Sequence, residues 1–239
     1  MNTCTTLITS TLLAAGLISG AAQAALVDRG GGLIYDTDLN VTWLQDANYA
    51  KTSGYDTDGR MTWANATAWA ANLSYYDSVR NVTYTDWRLP TFTDLGAPGC
   101  QTANSGTDCG YNVDPASSEM AHLYFTELGN VSYRNALGNV TPEYAGGANS
   151  ISNLDNTGPF INFKSNYYWS GTEVATATTN AWFFYTVAGQ QTFAGKSANY
   201  FALAVRPGDV AAAAIPEAET YALMLAGLGL IGWRARRRG

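Results

Sequence analysis

The chain has 239 residues, a mass of 25.5 kDa and a formal net charge of −6 at pH 7. Residues 25–210 are more acidic than the whole, because Glu217, Glu219 and four arginines follow them; 17 acidic residues then stand against 9 Lys and Arg, a net charge of −8. This charge argues against a nucleic-acid-binding domain, and 6 Trp, 14 Tyr and 8 Phe argue against a disordered one.

The first 24 residues have the pattern of a secretory signal peptide. An apolar run over 7–18 is followed by the small-residue cleavage site Ala22-Gln23-Ala24. The run is too short to span a bilayer, so removal after export is the expected fate. The sequence therefore predicts three parts, with a signal peptide at 1–24, one domain at 25–210 and a terminal segment at 211–239.

The domain opens with the pattern of a hairpin and then a helix. Short β-type runs at 33–35 and 41–44 are separated by a turn rich in Asp and Asn. Thr62 is placed to cap an amphipathic helix over about 63–73.

Four aspartates in these turns could offer oxygen ligands to calcium: Asp36, Asp38, Asp56 and Asp58. The run from Asp56 begins like an EF-hand loop, but its twelfth position is Thr67 and not the required Glu. Ordinary Asx turns are therefore favoured, and no metal site or cofactor is predicted, with calcium as the alternative left open.

A second group of features lies between 91 and 128. Thr91 is placed to cap a short helix through Phe92 and Leu95. Cys100 and Cys109 are an even pair in an exported chain and lack C-x-x-C spacing, so a loop-closing disulfide is predicted.

His122 is the only histidine in the chain. A multi-histidine zinc or iron site is thereby excluded, and no G-x-S-x-G motif marks a serine for a catalytic triad. The residue lies in a predicted helix over about 115–128 that Gly129 ends, so it is interpreted as a helix histidine at the core edge or in solvent. No catalytic residue is predicted.

The remainder of the domain is a loop region followed by strands. Residues 129–160 hold many Gly, Asn, Ser and Pro with little periodicity, and a long surface loop region is predicted there. In the loops over 129–166, Tyr133, Tyr144 and Asn149 are the candidates for a ligand surface. Strands are predicted at 167–170, 181–187, 191–193 and 200–206, with the last exposing two different faces. Hairpin, helices and then strands indicate an α+β domain with antiparallel sheet and two or three helices.

The aromatic residues could stack on sugars, but core packing is favoured for five tryptophans inside predicted elements: Trp43, Trp63, Trp87, Trp169 and Trp182. Arg88 and Arg206 are interpreted as buried or half-buried partners of carboxylates.

Three segments resemble the Lcl C-terminal domain family, a bacterial group named for a collagen-like adhesin and related to the C-type lectin fold. They are 33–46, then 61–64 with Asp86-Trp87-Arg88-Leu89-Pro90-Thr91, then 168–173 with Ala181-Trp182, Lys196 and Ala204-Val205-Arg206. The resemblance implies a lectin-like fold with both termini in a small sheet, two helices, and loops backed by a second sheet. The sugar-binding triplets of calcium-dependent lectins do not occur in the chain.

The C-terminal segment resembles the PEP-CTERM sorting signal. Pro216, Glu217 and Ala218 precede an apolar stretch at 220–233, and a cluster that includes Arg236, Arg237 and Arg238 follows it. The resemblance implies processing by an exosortase-type enzyme in a Gram-negative envelope. The apolar stretch is short for a bilayer, so a transient membrane-inserted helix is expected, with a permanent anchor as the alternative.

The sequence thus favours an exported, non-enzymatic surface or matrix protein that binds polysaccharide or cell-surface glycan through a lectin-like domain. One alternative is a secreted polysaccharide-active enzyme, which needs two facing carboxylates and would draw on Glu119, Glu127, Glu143 or Glu173. A purely structural matrix protein is the other.

Overall fold

The structure is a computed structural model that describes residues 26–95, 104, 108–142 and 154–210. The predicted signal peptide and the sorting segment therefore lie outside the described residues, as do Cys100, Tyr144 and Asn149. Within the described ranges, no helix is long and apolar enough to cross a membrane.

The ends of the domain meet in one four-stranded antiparallel sheet. Its order is β1-β2-β3-β10, formed by Leu26–Asp28, Leu33–Asp36, Val41–Leu44 and Val205–Pro207. The predicted first hairpin is β2–β3, with Ile34 opposite Trp43. The last strand is shorter than predicted, because residues 200–204 make isolated bridges and loop hydrogen bonds instead of a continuous ladder.

A second antiparallel sheet supports the loop region. Its order is β6-β9-β8-β7, formed by Gly110–Tyr111, Gln190–Gly195, Asn180–Tyr185 and Tyr167–Glu173. The described residues 129–141 and 154–160 of the predicted loop region contain only turns, bends and isolated bridges.

Two helices follow β3 along the chain. Helix α1 is a single turn, Tyr49–Thr52, and α2 is Trp63–Ala71. Thr62 caps α2 as predicted, its hydroxyl accepting from the Asn65 backbone N–H at 3.4 Å. An additional hairpin follows, with β4 at Tyr75–Asp77 paired to β5 at Val82–Tyr84. The β4–β5 hairpin is not among the elements expected from the sequence.

Two predicted helices were wrong in detail. Residues 92–95 are not helical, because Phe92 bridges Ser118 and the Thr93 N–H donates to the Ser117 carbonyl. The segment 115–128 is not one α-helix but a 3₁₀ turn, Pro115–Ser117, a turn of α-helix, α3, at Glu119–Ala121, and a π-helix at His122–Glu127. Ser118 is extended and restarts the helix as a new N-cap, which interrupts the predicted run.

The core has two layers that alternate along the strands. Ile34, Trp43, Tyr168, Phe184 and Leu203 contribute to the layer packed by the π-helix. Their chain neighbours contribute to the layer packed by α2, including Leu33, Leu44, Trp169, Phe183 and Ala202. Both strand faces are therefore buried at the centre of the domain, as period-two alternation requires.

The tryptophan and arginine predictions are confirmed. Four of the five tryptophans are buried, and Trp63 is partly buried with its indole N–H donating to the Ser170 carbonyl. Arg88 pairs with Glu119, and Arg206 pairs with Asp86.

Candidate functional site

Of the three predicted ligand residues, the structure describes Tyr133. Its ring lies 6.2 Å from the ring of Tyr111, with the Arg134 guanidinium carbon 5.2 Å from the Tyr133 ring centre. All three side chains are half-buried. We call Tyr111, Tyr133 and Arg134 the tyrosine face; it presents two aromatic rings and one cation.

The second sheet holds the tyrosine face in place. The Tyr133 N–H donates to the Ala188 carbonyl, and the Ser132 hydroxyl donates to the Gly189 carbonyl. Gly189 has a φ of +58°, and a Cβ there would lie 2.9 Å from the Tyr124 ring. Only glycine fits this turn without strain, so the backbone under the tyrosine face is tightly specified.

A second group of titratable side chains joins the end of β2 to the π-helix and is called the Asp36 cluster: Asp36, His122 and Glu127. One ligand atom from each lies within 4.8 Å of the others. The His122 Nε2 is 3.1 Å from Glu127 Oε1 and 4.0 Å from Asp36 Oδ1. Asp36 is 0% exposed, the Glu127 side chain is 1% exposed and His122 is 9% exposed.

The π-helix brings two members of the cluster together. In an α-helix, residues five apart point about 140° away from one another. The wider winding of the π-helix, seen in the Leu128 N–H donating to the Leu123 carbonyl, returns the fifth residue to the same side. His122 and Glu127 can therefore touch.

The two carboxylates of the cluster differ in their other hydrogen bonds. Asp36 Oδ1 accepts from the backbone N–H groups of Asp38 and Leu39, and Oδ2 accepts from the Trp43 indole. Glu127 Oε2 is buried and has no hydrogen-bond partner among the described residues. Burial, and next the negative charge of Asp36, raise the pKa of Glu127, against the lowering effect of His122.

Of the candidate catalytic carboxylates that the structure describes, Glu119 and Glu173 each pair with a cation, and Glu127 lies beside Asp36 in the Asp36 cluster. Glu119 receives both Arg88 nitrogens at 2.7 Å and the Thr91 N–H, and this hydrogen bonding raises the pKa of Arg88. Glu173 is held by Lys196. Glu143 lies outside the described residues.

Asp56 and Asp58 make the Asx turns that the sequence favoured, whereas Asp38 accepts from the Thr37 hydroxyl. Asp56 accepts from the N–H groups of Asp58 and Gly59, and Asp58 accepts from the N–H and side chain of Arg60. The hydrogen bonds from Arg60 lower the pKa of Asp58.

The predicted disulfide and sorting residues are not tested by this geometry. Cys109 is buried, but Cys100 lies outside the described residues, so their pairing stays a prediction. The same holds for the structure of Pro216, Glu217, Ala218, Arg236, Arg237 and Arg238.

The sequence indicates each member of the Asp36 cluster separately: Asp36 as a turn residue, His122 as a core-edge histidine and Glu127 as a carboxylate of the enzymatic alternative. A five-residue spacing is not a sign of contact in an expected α-helix, so no local signal pointed to the cluster.

Comparison with known families gives two matches. The PEP-CTERM protein-sorting motif matches residues 214–238, which supports export to the cell surface or beyond through a membrane-anchored intermediate and implies processing by an exosortase-type enzyme. No curated protein matches the chain significantly. The Lcl C-terminal domain matches residues 32–206, most of the chain, and this chain therefore belongs to the Lcl C-terminal domain family.

Proposed function

We propose that the domain is a non-enzymatic module that binds glycan, and foremost the exopolysaccharide of the cell that exports it. The sorting motif supports a place at the cell surface or in the surrounding matrix. Polysaccharide is the abundant macromolecule that such a protein meets there.

The tyrosine face is the observation that carries the proposal. Tyrosine rings offer an apolar surface with a polar edge, which suits the apolar face and the hydroxyl groups of a pyranose. The Arg134 guanidinium lies over the Tyr133 ring and donates one hydrogen bond to the Gly138 carbonyl, and its other N–H groups add donors to this face. This mode of contact uses no cofactor.

The charge of the domain narrows the glycan class. A net charge of −8 over 25–210 repels an anionic polysaccharide at long range. We therefore favour a neutral glycan, with the single cation of the tyrosine face serving hydrogen bonding and not bulk attraction.

A lectin-like fold belongs to the same proposal. It is supported by the strands β1 and β10, which bring the ends of the domain into one sheet, and by the second sheet beneath the loops. The enzymatic alternative has less support, because two of its carboxylates are occupied by ion pairs with Arg88 and Lys196.

The test measures retention of the full chain, kept in detergent, on beads that carry exopolysaccharide extracted from the producing cells, dextran or alginate. We expect retention on the extract and weak retention on alginate. Tyr133→Ala should reduce retention at least about tenfold, the effect of losing one well-placed aromatic contact.

Tyr76→Ala is the matched control, since Tyr76 is 57% exposed on the β4–β5 hairpin, whose strands pair with each other and not with the second sheet. It should leave retention unchanged. Absence of retention on every polysaccharide, or equal losses for Tyr133→Ala and Tyr76→Ala, would contradict the proposal.

A further inference from the structure

We propose that the Asp36 cluster binds a divalent transition-metal ion, with Zn²⁺ as the probe. The proposal does not depend on glycan binding. It rests on the donor atoms, on an unsatisfied buried carboxylate, and on a matched hairpin elsewhere in the domain.

The donor atoms are already close to the spacing that a metal needs. At Zn²⁺ bond lengths of about 2.0–2.2 Å, tetrahedral ligand atoms lie about 3.4 Å apart. The Nε2 of His122 lies 3.1 Å from Glu127 Oε1 and 4.0 Å from Asp36 Oδ1, which bracket that value. All three ligand atoms lie within 4.8 Å of one another, so shifts of up to about 1 Å would bring them around an ion.

The charges and hydrogen bonds also point to a cation. Two buried carboxylates face each other, and among the described residues His122 is the only basic group within 4.0 Å of either one. The Glu127 carboxyl is turned inward onto His122, yet its Oε2 has no partner. Buried charges in proteins are ordinarily paired or coordinate a metal.

The β4–β5 hairpin shows the same turn with its own cation. Asp77 accepts from the N–H groups of Val79 and Arg80, as Asp36 accepts from those of Asp38 and Leu39. The Arg80 guanidinium then pairs with Asp77 at 2.7 Å. The first hairpin has Leu39 where the second has Arg80, so its buried carboxylate lacks the built-in cation.

The imidazole decides the class of metal. Calcium and magnesium take oxygen ligands, whereas one imidazole with two carboxylates suits zinc and neighbouring first-row ions. A bound ion would join the end of the β2–β3 hairpin to the π-helix. Its expected role is therefore to clamp the two elements together.

The experiment uses the full chain in detergent, freed of metal with a chelator and then titrated with ZnCl₂ by calorimetry. We expect one saturable site per chain that is absent from His122→Asn and Glu127→Gln, or weakened at least about tenfold. At a free Zn²⁺ concentration one hundred times Kd, the melting temperature should rise by about 5–10 °C.

Asp77→Asn is the control, because it removes the equivalent buried turn carboxylate and should leave Zn²⁺ affinity unchanged. Glu127→Gln is nearly isosteric, so it keeps the test valid if His122→Asn does not fold. Circular dichroism in chelator checks that Glu127→Gln is folded. No saturable Zn²⁺ binding, or binding that Glu127→Gln leaves intact, would overturn the proposal.

Discussion

The β2–β3 and β4–β5 hairpins are built by the same local sequence and end in different electrostatic environments. Each follows the pattern Tyr-Asp-x-x-x-Asn-Val, at 35–41 and at 76–82. In each, the tyrosine hydroxyl donates to the asparagine side chain, and the asparagine has a positive φ, 51° at Asn40 and 54° at Asn81.

The buried aspartate is where the two hairpins differ. Both Asp36 and Asp77 are 0% exposed. Asp77 has Arg80 of its own turn, whereas Asp36 faces a second carboxylate on the π-helix. The charge of the buried aspartate is balanced within the β4–β5 hairpin by Arg80. In the β2–β3 hairpin it has to be balanced by a group from outside the turn, either His122 or a bound cation.

This difference separates a structural charge from a charge available to a ligand. Burial and local turn geometry are the same in both hairpins, so they do not identify a site. The distinguishing feature is whether each buried oxygen has a partner, which is a property of neighbouring elements and not of the turn.

Breaking the complete hairpin should have the largest effect on stability. Asp77→Asn keeps the turn acceptor but removes the charge that Arg80 pairs with, and Arg80 is itself mostly buried. We expect the free energy of unfolding at pH 7 to fall by about 2 kcal/mol. Urea denaturation of the two chains measures the change, and a loss under 0.5 kcal/mol would contradict a structural role for the pair.

The stability difference between wild type and Asp77→Asn should also depend on pH. Burial alone would raise the pKa of Asp77, but Arg80 and the Val79 and Arg80 N–H groups outweigh it and hold the pKa below 3.8. A lowered pKa gives stability that is present above the ordinary value and lost as pH falls through the folded value. The difference between wild type and Asp77→Asn should therefore shrink as pH falls below about 4, measured by urea unfolding at pH 7, 4 and 3. A constant difference would refute this assignment.

Giving the β2–β3 hairpin its own arginine should weaken Zn²⁺ binding at the Asp36 cluster. Leu39→Arg places an arginine in the first hairpin at the position that Arg80 has in the second. The new guanidinium should form an ion pair with the Asp36 carboxylate. We expect Zn²⁺ affinity to fall at least about tenfold, or about 1.4 kcal/mol, by calorimetry. Leu39→Met retains an apolar side chain and should bind as wild type; equal affinities in both variants would count against the account.

The smallest effect is expected at Glu127 in the absence of metal. Glu127→Gln removes a buried charge that is opposed by burial and by Asp36, so little stabilisation is lost with it. In chelator at pH 7 we expect a change within about 1 kcal/mol of wild type, clearly smaller than for Asp77→Asn. A loss as large as that of Asp77→Asn would show that Glu127 serves structure and not a ligand.

Much of the fold could be predicted from local patterns. The alternation at 200–206 predicted two faces, and the structure assigns Phe201, Leu203 and Val205 to one core layer and Ala202 and Ala204 to the other. Thr62 marked the start of α2 because a cap needs only its own hydroxyl and the next turn. Such features depend on neighbours in the chain.

The candidate site depended on tertiary structure. The apolar spacing of Met120, Leu123, Tyr124 and Leu128 predicts an α-helix, and it does not reveal that the segment winds as a π-helix. The second hairpin was missed although it repeats the letters of the first, because its Val79 and Val82 are exposed and its strands have three residues each. Tyr133 stays a prediction for the ligand surface because it lies in the loop region, and its neighbour Tyr111, which comes from β6, carries no such signal.

The proposed metal site at the Asp36 cluster is tested most directly by anomalous X-ray diffraction at the zinc edge, from crystals of the chain grown with ZnCl₂. A peak is expected about 2.0–2.2 Å from His122 Nε2 and from one carboxylate oxygen each of Asp36 and Glu127. Electron density that shows these three side chains ordered, with no anomalous peak between them, would contradict the proposal.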